Sequence, residues 1–330
     1  MSMQRISIIG AGAWGTALAI LARRAGRDVT LWVRRAEQAA DLARIRENTG
    51  YLPGIPLDPT IRIGTDLAAA LDADAVLYAQ PAQHFRAFCR NAGPFWKNAV
   101  LVIAAKGIEC ETGALLNEIA AGELAAAPTI ILSGPSFAAE AARGLPTAVA
   151  LAGERADLVE ALMAALAHGA FRPYGSDDPI GVEIAGAIKN VLAIACGIVL
   201  GKGLGENARS ALITRGTAEV ARLALAKGGR AETLMGLAGI GDLILTATSL
   251  KSRNTSLGFE LGHGAPLGEI LGSRRSIAEG VTTAAAVSTL AERIGVDMPI
   301  SFAVNRILKD ASSIDDEIRG LLARPLKKEQ

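Results

Sequence analysis

Short, continuously apolar runs recur along the first half of the chain, at residues 6–9, 29–33, 61–63, 75–79, 100–104, 129–132 and 147–151. Runs of that length without polar alternation suit strands buried on both faces, as a mainly parallel sheet requires. Ala-rich segments separate them, among them 16–25, 66–71 and 115–121, and these suit crossover helices. Such alternation predicts a doubly wound α/β domain. After about residue 178 the strand signals stop and long helical patterns follow, at 180–200, 209–226, 282–294 and 300–309. The chain is therefore expected to divide into a sheet domain over 1–178 and a mostly helical domain over 179–330. The turn Tyr174-Gly175-Ser176-Asp177-Asp178-Pro179 joins them.

Composition narrows the partners. The 330 residues are half hydrophobic, and 34 basic side chains face 33 acidic ones for a net charge of +1. That balance, with 4% aromatics, leaves no electrostatic footprint for nucleic acid and no platform for stacking bases. Cys89, Cys110 and Cys196 are odd in number and widely spaced, which argues against a disulfide framework and fits a reducing cytoplasm. No uninterrupted apolar run approaches the roughly 20 residues of a membrane span. The best candidate, 191–200, directly follows Lys189 and Asn190. The apolar stretch 6–22 imitates a signal peptide, but Gly10, Gly12 and Gly15 interrupt it. The expectation is a cytoplasmic protein with no membrane span. His84, His168 and His263 stand apart without metal-ligand spacing, so no metal site is expected.

The first apolar run leads into Gly10-Ala11-Gly12-Ala13-Trp14-Gly15 and then directly into a helical pattern. This is G-x-G-x-x-G in its strand-turn-helix setting, the mark of a Rossmann-type dinucleotide site. Gly10 permits the tight turn, Gly12 lets pyrophosphate approach the backbone, and Gly15 lets the helix pack on the strand. NAD-selective sites place an acid about 20 residues further on. Here the second run ends in Arg34-Arg35. Two guanidinium groups there suit a 2′-phosphate, which favours NADP(H) over NAD(H). The competing reading is a solvated helix start, since Ala36-Glu37-Gln38 follows. Trp14 either packs over the nucleotide or fills core.

The segment 180–200 is apolar almost all round, as in a buried helix, yet it contains Glu183, Lys189 and Asn190. On helical spacing Lys189 has Ala185, Gly186 and Ala193 as small neighbours. A lysine so placed is either an active-site group with a shifted pKa or a structural one, snorkelling or paired with a carboxylate such as Asp242 or Glu183. Other polar clusters follow double-glycine turns or strand ends: Gly239-Ile240-Gly241-Asp242, Ser252-Arg253-Asn254-Thr255, Lys106-Gly107 and Ser133-Gly134-Pro135-Ser136. The guanidinium and hydroxyl of Arg253 and Ser252 are sensible chemistry for a phosphate. Lys106 and Ser133–Ser136 fall at carboxyl ends of strands, where open α/β sheets bind ligands.

Taken together, these segments resemble the bacterial-type NAD(P)-dependent glycerol-3-phosphate dehydrogenase family. The matching stretches are 10–19, Asn48-Thr49-Gly50-Tyr51-Leu52-Pro53, Lys106-Gly107-Ile108-Glu109, 133–138, Lys189-Asn190-Val191, 207–216, Gly241-Asp242-Leu243, Ser252-Arg253-Asn254 and Glu279-Gly280. The resemblance covers about residues 5–305. It implies interconversion of dihydroxyacetone phosphate and sn-glycerol 3-phosphate by hydride transfer with NAD(P)H, supplying phospholipid synthesis. By that resemblance Lys189 is the proton donor and acceptor, and Lys106, Gly134, Ser136, Asp242, Ser252, Arg253 and Asn254 contact the small phosphorylated three-carbon substrate. Ala13, Trp14, Arg34, Ala138, Ile277 and Glu279 serve the nucleotide beside the glycine loop, Arg35, Lys106 and Arg253. One departure is Gln80-Pro81-Ala82-Gln83, where the family often has an apolar residue before the proline. Two rivals are a nucleotide-binding sensor without turnover, which would need a broken lysine or substrate cluster, and a related β-hydroxyacid dehydrogenase. Ser252, Arg253, Asn254 and Asp242 favour a small phosphorylated substrate over the latter. A homodimer is compatible with the sequence, which does not specify the oligomeric state.

Overall fold

The computed structural model describes residues 3–125, 127–274, 278–309 and 312–326. Eight strands form one sheet in the order β10-β9-β8-β7-β6-β1-β2-β5. They are β1 (Arg5–Ile9), β2 (Asp28–Trp32), β5 (Arg62–Gly64), β6 (Ala75–Tyr78), β7 (Val100–Ile103), β8 (Thr129–Ser133), β9 (Thr147–Ala152) and β10 (Phe171–Ser176); β3 (Glu47–Asn48) and β4 (Leu52–Pro56) make a separate small hairpin. The doubly wound fold expected from the apolar runs is present. The chain builds outward from β1 to β2, then returns to β6 on its other side, which puts the topological switch point between β1 and β6.

Both faces of the sheet are buried. Ile6, Ile8, Leu31, Leu77 and Val102 point into one core with Leu18 and Leu21 of the first helix, Ala13–Arg24. Ile9, Val76, Tyr78, Leu101 and Ile103 point into another with Phe85 and Phe88. Trp14 packs against the first of these cores while remaining partly exposed.

Two features depart from the expectation. The pairing of β8 with β9 is antiparallel, so β9 and β10 run against the rest of the sheet. In addition, Phe171–Ser176 is a strand, although Tyr174-Gly175-Ser176 read as the start of the turn that joins the two halves. Pro173 is tolerated because β10 is an edge strand, where a missing N–H costs no ladder bond.

Helices follow from Pro179 onward. The helix Pro179–Gly201 starts with proline at its first position, and the N-cap carboxylate of Asp178 accepts from Gly181 N at 2.9 Å. Asp178 also accepts from Arg230 N at 2.9 Å, which ties a later loop to the same cap. This helix is long and apolar enough to cross a membrane, longer than the ten-residue run that the sequence offers uninterrupted. It is instead the buried axis of the helical core, wrapped by Gly205–Ala226, Asp242–Ala247, Arg253–Gly262 and Glu279–Ile294. Against Arg253–Gly262 it packs backbone to backbone: a Cβ on Gly197 would lie 2.1 Å from Thr255 O, and one on Gly258 2.0 Å from Ile194 O.

Two buried carboxylates complete other helix ends. Glu183 Oε1 accepts from Leu116 N at 2.6 Å and Asn117 N at 3.3 Å, at the start of Leu116–Glu123. Glu219 accepts from Ile300 N at 2.6 Å and from Ser301 N and Oγ, at the start of Pro299–Lys309. Each satisfies N–H groups that would otherwise lack partners.

Candidate active site

The carboxyl ends of β1, β2, β6, β7 and β8 lie on one edge of the sheet and carry the sequence-predicted residues of the first half. After β1, Gly10 adopts φ +113°, a conformation that disfavours side chains. A Cβ on Gly15 would lie 1.9 Å from Gly10 O, so only glycine lets the helix begin this close to the strand. Around Gly12 nothing would meet a Cβ within 4 Å. Gly12 is the N-cap of Ala13–Arg24, with no side-chain cap and no acid in the first turn. Space, uncapped N–H groups and the helix dipole therefore coincide, which fits a pyrophosphate. The turn is braced from behind by Asn48, whose Nδ2 donates to Ala11 O at 3.0 Å and Thr16 Oγ1 at 2.7 Å.

At the end of β2, Arg34 and Arg35 are both exposed. Arg35 precedes the helix Ala36–Ile45 and reaches Gln38. No acid stands between β2 and Glu37. Ala138 begins the helix Ala138–Ala142, which packs on Ala13–Arg24. Ile277 lies outside the described residues.

The second group centres on Asp242, the first residue of Asp242–Ala247 and only 1% exposed. Its Oδ1 accepts from Lys189 Nζ at 2.6 Å and its Oδ2 from Lys106 Nζ at 2.5 Å. Lys189 also donates to Thr246 Oγ1 at 2.8 Å, and Lys106 to Gly134 O at 3.2 Å. Ser136 Oγ donates to the same carbonyl at 3.0 Å. Thus Lys106, Gly134, Ser136, Lys189 and Asp242, spread over 136 positions, meet at one point. Lys189 is 9% exposed. Burial pulls its ammonium down to about 8, against the attraction of Asp242, while Lys106 pushes the same way as burial and Glu279 opposes it. Burial alone would raise Asp242, but the two lysines hold it below the usual carboxylate range.

Lys189 thus has both a carboxylate partner and a lowered pKa. Its small neighbours divide their roles. Ala185 lies with Lys189, Thr217, Val220, Leu234, Gly239 and Leu243 around a small crevice, whereas Gly186 faces Ser133, whose hydroxyl would be 2.6 Å from a Cβ there.

Ser252 caps the helix Arg253–Gly262, accepting from Thr255 N at 3.3 Å. Asn254 Nδ2 donates to Asn190 Oδ1 at 2.9 Å, and Asn254 Oδ1 accepts from Gly280 N at 3.0 Å. Those bonds tie the Ser252-Arg253-Asn254 segment to Asn190, which follows Lys189, and to Gly280, which follows Glu279. Burial raises the Glu279 carboxyl, and the positive charges of Arg253, Lys106 and Lys189 pull it back. Sequence reasoning missed Thr246, although it stands four residues after Asp242 on one helix, and gave Asn190 no role. Among the described residues no group of three His, Cys, Asp or Glu is placed to hold a metal ion.

Comparison with known proteins agrees across the whole chain. Residues 5–159 match the family model described as the NAD-dependent glycerol-3-phosphate dehydrogenase N-terminus, and 178–319 match that of its C-terminus. A relative from Rhodospirillum rubrum, named glycerol-3-phosphate dehydrogenase [NAD(P)+], is 54% identical over 99% of this chain and 94% of its own. One of the same name from Parvibaculum lavamentivorans is 52% identical over 100% of this chain and 99% of its own. The crystal structure of glycerol-3-phosphate dehydrogenase from Coxiella burnetii superposes with a TM-score of 0.94 at 39% identity, covering 98% of this chain and 99% of that one.

Proposed function

The chain belongs to the NAD-dependent glycerol-3-phosphate dehydrogenase family, and from that premise we infer that it interconverts dihydroxyacetone phosphate and sn-glycerol 3-phosphate with NAD(P)H. The observation that carries this reading is the buried carboxylate of Asp242 holding Lys106 and Lys189 at the carboxyl edge of a sheet with a dinucleotide loop. Sensors without turnover have no need of such a cluster.

A nicotinamide nucleotide held at the glycine loop would supply hydride-transfer chemistry at the carbonyl carbon. The residues of this chain do the rest. Lys189 commits one N–H to Asp242 and one to Thr246, which leaves a third for the substrate oxygen. As negative charge builds on that oxygen during reduction, the ammonium of Lys189 donates its proton, and in oxidation the neutral amine takes one. A pKa near 8 allows both directions at neutral pH. Asp242 holds the ammonium in place, and Lys106, on the other oxygen of the same carboxylate, adds positive potential. We assign the phosphate to Ser252, Arg253 and Asn254, whose donors suit it, and further substrate contact to Gly134 and Ser136, which share the Lys106 cluster.

For the nucleotide, the glycine loop with Ala13 and Trp14 takes the pyrophosphate, and Arg34 with Arg35 favours NADP(H) while NAD(H) remains usable. By the family resemblance Ala138, Ile277 and Glu279 are further nucleotide residues, and Lys106 and Arg253 serve both nucleotide and substrate. On this reading 1–178 is the nucleotide domain and 179–330 the substrate and catalytic domain. Three cysteines without a disulfide support a reducing, cytoplasmic setting. The product is the backbone of glycerophospholipids, so the reaction supplies lipid synthesis. The test follows NADPH absorbance with dihydroxyacetone phosphate as substrate. Lys189→Met should lower turnover about 10²-fold or more while NADPH still binds. A folded Lys189→Met protein with near wild-type turnover would sink the assignment.

A further inference from the structure

Lys106 sits on a segment with no regular secondary structure, from the end of β7 at Ile103 to the start of the helix at Leu116. Such a segment has no ladder to satisfy its backbone, so its shape depends on the groups that bond to it. Its own backbone bonds, from Glu109 N to Ala114 O and from Gly113 N to Glu109 O, lie beyond the lysine. Nearer Lys106 the partners come from the turn after β6. Gln83 Nε2 donates to Ile108 O at 2.8 Å, and Gln83 Oε1 accepts from Cys110 N at 2.9 Å. One amide thereby bonds a carbonyl and an N–H two residues apart, as a neighbouring strand would. Two adjacent contacts reinforce the grip. A Cβ on Gly107 would lie 2.7 Å from Ala82 Cβ, and Arg86 gives Glu109 a two-pronged ion pair at 2.8 and 2.7 Å. From the helical side, Cys110 Sγ donates to Thr282 O at 3.3 Å.

We propose that Gln83 is a positioning residue of the reaction: its amide fixes the backbone of the 106–110 segment so that the Lys106 ammonium meets Asp242. The proposal rests on the dehydrogenase reading above. Gln83 follows the same strand end as Gln80, whose Cγ lies 2.7 Å from where a Gly10 Cβ would be. The turn 80–83 therefore touches the nucleotide loop at one end and holds the substrate lysine at the other. Lys106 reaches Asp242 at 2.5 Å and Gly134 O at 3.2 Å, and a reactive constellation this close loses rate steeply on small displacements.

Gln83→Leu keeps the approximate volume and removes both bonds. It should lower kcat/KM for dihydroxyacetone phosphate roughly tenfold or more and raise the KM for NADPH by less, with the melting temperature close to that of wild type. Hydrogen exchange should speed up in a peptide spanning 106–112 and stay unchanged in one spanning 10–20. Gln83→Glu, which removes only the donor to Ile108 O, should change the same quantities in the same direction and stands in if the leucine variant does not fold. A generally destabilised protein would instead lose both substrates' parameters together with its melting temperature, and that pattern would overturn the proposal. Wild-type kinetics in both variants would overturn it as well. A wild-type protein that does not turn over dihydroxyacetone phosphate refutes the reaction itself, and with it any role for Gln83 in that reaction.

Discussion

Replacing Asp242 by asparagine tests the electrostatics of the site at its centre. The change keeps the side-chain shape and an oxygen that can accept from one lysine, but it removes the negative charge that bridges two ammonium groups. Two unit charges about 4 Å apart interact by roughly 4 kcal/mol at an effective dielectric near 20. Since one pKa unit is about 1.4 kcal/mol, the full loss would lower Lys189 by up to about three units. Relaxation and the remaining Glu279 will absorb part of that, so a drop of at least about one unit is expected, from about 8 toward about 7 or below. The direction follows from the removal of a group that favours the charged lysine, while Lys106 and burial, which disfavour it, remain. In ketone reduction the reactive form is the ammonium. The ratio of kcat/KM at pH 7.0 to that at pH 8.5 should therefore rise from about 4 in wild type to about 16 or more in Asp242→Asn. Comparing ratios cancels the titration of the substrate phosphate, which is common to both proteins. Adding Lys106→Met should move the basic limb back up, because it removes the remaining positive neighbour. A basic limb that stays put, or moves to higher pH, would refute the view that Asp242 sets the charge of Lys189.

Three further outcomes are expected. Arg34→Asp should raise the KM for NADPH about tenfold or more and that for NADH far less; equal losses with both nucleotides would remove Arg34 from the 2′-phosphate site. Arg253→Ala should weaken use of dihydroxyacetone phosphate at least about tenfold, while the poor activity with unphosphorylated dihydroxyacetone falls little; equal loss with both would argue against a phosphate contact. Burial raises Glu183 to about 8 against the two N–H bonds it accepts, so its folded value lies above its unfolded one. Its contribution is then full below about pH 4.3 and is lost as pH rises toward 8. Glu183→Gln keeps an acceptor for Leu116 and Asn117, and its melting temperature relative to wild type should climb by a few degrees between pH 5 and 8. A difference independent of pH would refute that assignment.

The apolar runs located seven of the eight sheet strands because strands buried on both faces carry their signal locally. Phe171–Ser176 escaped because Tyr174-Gly175-Ser176 read as the start of a turn, and only its place at the sheet edge makes its proline harmless. The antiparallel turn of β9 could not be read at all, since strand direction is set by neighbours rather than by periodicity. In the site, Lys189 stood out as a charge in an apolar helix. Of the two carboxylates the sequence offered it, Asp242 and Glu183, the partner is Asp242, 53 residues away, a choice that spacing alone does not make. Asn190 and Asn254, 64 residues apart, are hidden for the same reason. Thr246 was within reach, because Asp242 and Thr246 are one helical turn apart. The kink at Gly239 and the shortness of Asp242–Ala247 masked that periodicity.

The backbone contact between Pro179–Gly201 and Arg253–Gly262 has a consequence for how readily the substrate range can change. One helix carries the lysine proposed to transfer the proton, the other the proposed phosphate donors, and at Gly197 and Gly258 they touch without side chains between them. The span from reacting carbonyl to phosphate is thus measured by a ruler with no adjustable part. Pocket-lining residues can be trimmed to admit a bulkier molecule, but a crossing made of main chain has nothing to trim. Any residue larger than glycine there would push the helices apart, lengthening the ruler and opening the helical core in the same step. Laboratory evolution toward a longer phosphorylated ketone would accordingly stall at single substitutions, and would need compensating changes along both helices.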